Sequence, residues 1–203
     1  DEEEYEFALR ETRTNEIIED VKSYRSEIGI LYLSNFNRKV LTKIFNDADL
    51  AFTPLFEAKP HVFVGENHPL SSYEKVTPKD LEDYPRYSFE QGSNNSFFYS
   101  EEPLGQLPHR QEITYSDRGT LTNLLTNHNG FTISTGVLSD EMNEGIVAIP
   151  LEADETMTVG YLSHAHLEFS DLAQRYIKKL REVISANPTV STYFEPEPTP
   201  ETE

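Results

Sequence analysis

Few residues in this 203-residue chain combine a reactive type with a useful spacing. His164 and His166, two apart, would point to one face of a strand as a metal pair might, with Glu168 the only third ligand nearby. Metal centres need three or four converging ligands, so two histidines on a surface loop are the plainer reading. Glu90 and Asp117 are acids near predicted strand ends, but no base is spaced to complete an acid–base pair with either. His68, before Pro69, reads as a turn residue. A phosphate loop, a dinucleotide fingerprint, a Gly-x-Ser-x-Gly elbow and a His-Glu-x-x-His motif are all missing. The expectation is no enzyme, no cofactor and no metal.

Small hydroxyl and amide residues are more telling, because they follow the predicted strands. They are Ser34-Asn35, then Gln91-Gly92-Ser93-Asn94-Asn95, then Ser116-Asp117, then Ser134-Thr135-Gly136. In open α/β sheets, ligands bind beyond the carboxyl ends of strands, where backbone amides and helix starts point outward. Turn and cap chemistry accounts for about half of such residues. The remainder suits hydrogen bonding to a compact polar molecule. Free amides at a helix start favour a carboxylate or other compact anion. Glu90 and Asp117 argue against a highly charged one and leave a zwitterion or neutral sugar open.

Strand and helix patterns alternate along the chain, which predicts an α/β fold with mixed, mostly parallel sheets. Tyr5-Glu6-Phe7-Ala8-Leu9 alternates as a strand does, and Ile28-Gly29-Ile30-Leu31-Tyr32-Leu33 reads as a strand covered on both faces. Ile17, Ile18, Val21 and Tyr24 recur at helical spacing behind Thr14, a candidate cap; Val40, Leu41, Ile44 and Phe45 form a second helix face. Thr77-Pro78-Lys79-Asp80 opens a short helix over Leu81. Ser116 or Asp117 caps a helix bearing Leu121, Leu124 and Leu125. Ser170 caps the last, with Leu172, Ala173, Tyr176, Ile177, Leu180, Val183 and Ile184 on its face.

The formal net charge is −19, and removing the acidic ends still leaves about −11 for the middle. Such a surface repels the phosphate backbone of nucleic acids, so this chain alone is not expected to bind DNA. Without cysteine there is no disulfide and no sulfur ligand. No run approaches the ~18 apolar residues of a membrane helix, which favours a cytoplasmic protein with no membrane partner. Residues 187–203 place four prolines among acids and are expected to be disordered.

Two further stretches carry a family likeness. The first runs through Pro54-Leu55-Phe56, Lys59-Pro60-His61-Val62-Phe63-Val64, His68-Pro69-Leu70, Lys79-Asp80-Leu81 and Tyr84-Pro85. The second joins Leu121-Thr122-Asn123-Leu124-Leu125, Asn129-Gly130-Phe131-Thr132-Ile133-Ser134 and Ile149-Pro150-Leu151. In order and spacing they resemble the effector-binding domain of LysR-type transcriptional regulators.

That resemblance implies a two-lobed, type 2 periplasmic-binding-protein-like fold with two crossing strands near residues 61–66 and 157–162. Lobe one would be residues 5–63 with 157–186, and lobe two residues 64–156. A small-molecule effector would bind between the lobes, against Ser34, Gln91, Gly92, Ser93, Asn94, Asn95, Ser134, Thr135 and Gly136. The resemblance further implies a homodimer or tetramer in the intact regulator, with DNA reached only through a winged helix-turn-helix outside this sequence. The family's opening strand and helix, one lining the cleft and one serving the dimer interface, have no counterpart before Tyr5. The alternative is a solute-binding protein of a transport system with the same fold.

Overall fold

The computed structural model describes residues 5–92, 96–138 and 144–194. Two sheet units are built around four helices. In the first unit the strand order is β1 (Gly29–Leu33), β8 (Met157–His164), β2 (Leu50–Ala58) and β9 (Ser191–Thr192). Helices α1 (Thr14–Lys22) and α2 (Arg38–Asp47) cover one face, burying Ile18, Val21, Leu41 and Phe45 against Leu31, Leu33 and Leu162. Helix α4 (Asp171–Ser185) covers the other, with Ile177 and Ile184 on Leu55, Phe56 and Tyr161.

The second unit has a three-stranded sheet ordered β6 (Thr132–Ser134), β3 (His61–Gly65) and β7 (Ile146–Pro150). Beside it β4 (Arg86–Phe89) pairs with β5 (Glu112–Tyr115). Helix α3 (Arg118–Asn127) packs Leu125 among Phe63, Tyr87, Phe89 and Tyr115. Val62, Val64, Ile133 and Ile149 make the opposite core with Leu70, Val76 and Leu81. The chain passes from the first unit to the second at Lys59-Pro60 and returns over residues 151–156. The two passages are tied where Leu151 N–H donates to Pro60 O at 3.0 Å.

Local chemistry explains most of the element ends. Asp117 Oδ1 accepts from Thr120 N–H at 2.9 Å and caps α3, settling the choice between Ser116 and Asp117. Ser170 Oγ accepts from Ala173 N–H at 3.2 Å to cap α4. Asp80 Oδ2 takes both the N–H and the hydroxyl of Thr77, at 2.8 and 2.7 Å, and starts the short 3-10 turn Pro78–Leu81. In α1 the cap is Arg13, one residue before the expected Thr14.

Several sequence expectations change. Of six strand pairings among the described residues, only β4–β5 is parallel; the two larger sheets are antiparallel throughout, not mixed and mostly parallel. The reason is intercalation. β1 and β2 run the same way, as the helix between them requires, yet β8 lies antiparallel between them. β3 separates β6 and β7 in the same manner.

Residues 5–9 form no strand, and Tyr5, Phe7 and Leu9 lie exposed. β1 pairs only with β8 among the described residues, and its other edge opens on a groove of about 710 Å³ lined by charged and apolar side chains together. Residues 6–10, β1 and α4 wall that groove. β1 is not covered equally on its two faces: Leu31 and Leu33 are buried while Ile30 is exposed. Val183 also faces solvent rather than the α4 core. The expected tail disorder does not begin at residue 187. β9 pairs with β2, Tyr193 N–H donates to Leu55 O at 2.9 Å, and the Arg181 guanidinium lies over the Phe194 ring. Residues 195–203 lie outside the described residues.

Candidate functional site between the sheet units

Side chains from both units meet around a cavity of about 170 Å³. The first unit contributes Thr14 and Ile17 from α1, Ile30, Leu31 and Tyr32 from β1, and Asn37 from the loop before α2. The second contributes Ser100, Glu101 and Arg118. Arg118 opens α3, where its guanidinium lies 4.3 Å from the Phe89 ring centre and 2.6 Å from Glu101 Oε2. Asn37 is fixed from behind: its Oδ1 accepts from Ser34 N–H at 2.7 Å and its Nδ2 donates to Tyr32 O at 3.4 Å.

Four contacts join the units around this cavity. Tyr32 Oη donates to Ser100 O at 3.1 Å. Arg13 Nε donates to Glu90 O, and its Nη2 to Glu90 Oε2, each at 3.1 Å. Arg118 lies 3.7 Å from Glu11 Oε2. The Phe36 and Phe98 rings stack with centres 4.9 Å apart. Glu102, the next residue after Glu101, is buried. Its Oε1 accepts from Phe89 N–H at 2.9 Å and from Tyr115 Oη at 3.0 Å. Burial, helped by the neighbouring Glu101 carboxylate, pushes the Glu102 carboxyl up to about 7. Burial also raises Glu101, against the pull of Arg118. Tyr32, buried near these acids, has its phenol raised far enough to stay neutral.

The strand-end residues singled out from sequence fall in three places. Ser34 is buried, and its hydroxyl accepts from Phe36 and Asn37 N–H at 3.3 and 3.4 Å, so it shapes the turn before α2. Gln91 is buried and donates to Phe89 O at 3.4 Å. Gly92, at φ +62°, lies against the Arg13 guanidinium at the mouth of the cleft; a Cβ there would come within 3.1 Å of it. Ser93, Asn94 and Asn95 lie outside the described residues.

Ser134, Thr135 and Gly136 end β6 beside His61, where a Cβ on Gly136 would meet the imidazole at 2.4 Å. Thr135 Oγ1 accepts from Val137 N–H at 3.3 Å. None of the described members of this set is among the residues lining the cavity. Asn37 and Arg118 were missed although each lies within three residues of a strand-end cluster. Ser100 and Glu101 carry no sequence signal, because their loop reaches the cavity only through the fold.

The histidines have structural duties. His68 is buried, its Nδ1 accepts from Leu70 N–H at 3.1 Å, and burial lowers its imidazole below the usual range. His164 stacks on Tyr24 with ring centres 3.8 Å apart.

Comparison with known proteins places this arrangement. The family described as the LysR substrate binding domain matches residues 3–185, and the chain belongs to it. No curated protein matches. Among solved structures, the effector binding domain of QuiR in complex with shikimate is 21% identical with TM-score 0.58, covering 83% of this chain and 79% of that one. The reduced OxyR regulatory domain from Pseudomonas aeruginosa is 20% identical with TM-score 0.58, covering 86% and 80%. HinK, a LysR family transcriptional regulator from Pseudomonas aeruginosa, is 16% identical with TM-score 0.59; the match covers 85% of this chain and 58% of HinK. The fold is thus of the two-lobed periplasmic-binding-protein type, and the chain is a ligand-sensing regulatory domain of the LysR class.

Proposed function

We propose that the two sheet units act as lobes, close to the expected residues 5–63 with 157–186 and 64–156 but with β3 wholly in the second and β9 in the first, and that a small metabolite bound between them is the regulatory signal. The observation that carries this is the cavity walled by both units, lined by polar and apolar side chains together and bridged by contacts from each unit to the other. The bridging ion pairs are partly exposed, with side-chain accessibilities of 32% for Arg13 and 46% for Glu90. Pairs of that kind are worth roughly 0–1 kcal/mol each. A ligand present at a hundred times its dissociation constant contributes about 2.7 kcal/mol to the state it prefers. It can therefore tip the balance between bridged and separated lobes, provided its affinity for the two differs.

The domain binds its effector without changing it. In this reading it works in the cytoplasm within a homodimeric or tetrameric regulator that contacts DNA through a separate domain. Gln91 and Gly92 lie next to the Arg13–Glu90 bridge, and Ser134 and Gly136 lie beside His61.

The test is a thermal-shift screen of metabolites, repeated on Thr14→Met, which puts a larger side chain at the cavity wall. A genuine effector raises the melting temperature of the wild type by several degrees and has no effect on Thr14→Met. A ligand that stabilises both equally binds elsewhere and refutes the site.

A further inference from the structure

The segment Ser96–Glu102 belongs to the second unit by connection and to both units by contact. Its tip is the 3-10 turn Phe97–Tyr99, held in shape by Ser96, whose Oγ accepts from Phe98 N–H at 3.4 Å. That tip is seated on the first unit. Phe98 stacks on Phe36 with ring centres 4.9 Å apart, and Tyr99 packs against the core that holds Leu31, Leu33 and Leu41. Ser100 O accepts from Tyr32 Oη at 3.1 Å, and Glu101 holds Arg118 at 2.6 Å. Residues 98–101 are thus a clasp between the units.

The clasp is rooted in Glu102. Ser100 Oγ donates to Glu102 O at 2.9 Å, while the Glu102 carboxyl reaches inward to Phe89 N–H and Tyr115 Oη. Glu102 is 4% exposed, and its Oε2 is buried without a donor. Gln91 donates to the C=O of the same Phe89, and its own Oε1 is likewise buried without a donor. A proton on Glu102 supplies the donor that this place lacks.

Charge around Glu102 does little to hold it ionised. Among the described residues no ion pair includes it. The groups that act on it are Glu101 in its own loop, Arg86 on β4, Tyr115 on β5 and Tyr32 on β1. Arg86 keeps its guanidinium on the carbonyl oxygens of Leu104 and Pro103, at 2.8 and 3.1 Å, and is also faced by Glu112 of β5. Arg118 of α3 is taken by Glu101. Burial raises both phenols, so they stay neutral.

We propose that Glu102 makes closure of the two units depend on a proton. Protonated, it lets its loop lie folded in and the clasp seat on the first unit. Ionised, it draws the loop towards water, and the clasp lifts from Phe36 and Tyr32. The elevation of this carboxyl to about 7 supports the device, because a group raised by burial returns towards 4.5 once hydrated. Closing then takes up a proton between those values. The closed state is favoured at low pH, loses up to about tenfold per pH unit through that window, and is at its weakest above about pH 7. By linkage, an effector that prefers the closed units takes up a proton as it binds there. This deepens the effector reading and rests on it.

The chain has no cysteine, so Lys43→Cys on α2 and Thr122→Cys on α3, both exposed, place one dye on each unit. Energy transfer is followed from pH 5 to 8 in this parent pair, and again with Glu102→Gln or Phe98→Ala added. The parent should pass from one transfer level to another as pH rises. Glu102→Gln should hold the low-pH level throughout, and Phe98→Ala, with a weaker clasp, should make the passage at lower pH. Equal transfer at pH 5 and 8 in the parent overturns the proposal, as does a full pH response in Glu102→Gln. Carboxyl carbon-13 titration of the unaltered chain needs no variant: no glutamate titrating near pH 7 overturns it too. Transfer that ignores pH, yet changes with a metabolite that stabilises the wild type and not Thr14→Met, removes the proton control and leaves the effector reading standing.

Discussion

Glu102, buried next to Glu101, makes stability depend on pH. Its folded-state carboxyl is pushed up to about 7, against 4.5 for the free group. Between those values the folded chain holds a proton that the unfolded chain releases. Stability therefore falls as pH rises through this window, and the full cost is present above about pH 7. Glu102→Gln keeps an acceptor for Phe89 N–H and Tyr115 Oη and removes the charge. Above about pH 7 it should be more stable than the wild type by about 1–3 kcal/mol, an advantage that fades towards pH 4.5. Thermal melts across that range would show it; an advantage independent of pH would contradict the assignment. Residues like this were the least legible in the sequence. Glu101 and Glu102 sit in an unpatterned loop, and nothing local says that β4, β5 and α3 will close over them. Ser34 was legible as a strand-end hydroxyl, but its oxygen is used by the turn it helps to make.

At the scale of elements, β8 is the pivot of the first unit, because β1 and β2 both pair with it. Gly160 at its centre allows this: a Cβ there would lie 2.3 Å from Thr53 O, a backbone atom that cannot swing aside. Gly160→Ala should cost at least about 1–3 kcal/mol by forcing β8 away from β2, read as a lower urea midpoint at unchanged slope. A midpoint within error of the wild type would show that the strands can shift freely. Helix faces and caps were well marked in the sequence, since Asp117 and Ser170 each stand just ahead of a periodic apolar run. Capping is decided within one turn of chain, so it can be read locally. Strand partners are not. The alternation in residues 5–9 is what a strand requires, yet among the described residues no partner pairs with it. The intercalation of β8, 99 residues or more from the strands it separates, left no trace in either stretch.

For the whole molecule, charge governs what the domain meets. With a net charge of −19 it should show no shift of duplex DNA at physiological salt, a result that micromolar, salt-sensitive binding in a mobility assay would overturn. The same charge bears on a feature of the fold seen from outside. Among the described residues β1 offers an unpaired backbone edge beside a wide groove, with Tyr5, Phe7 and Leu9 exposed nearby. Open edges of this kind are templates for pairing with another chain. Two domains approaching edge to edge must first overcome their mutual repulsion, which reaches about 10 Å through 0.1 M salt but only about 3 Å at 1 M. The domain should therefore be a colloid held apart by its own charge. In dilute buffer it stays dispersed, and as salt is raised light scattering should grow, with the growth suppressed by a charged substitution such as Ile30→Lys on the open strand.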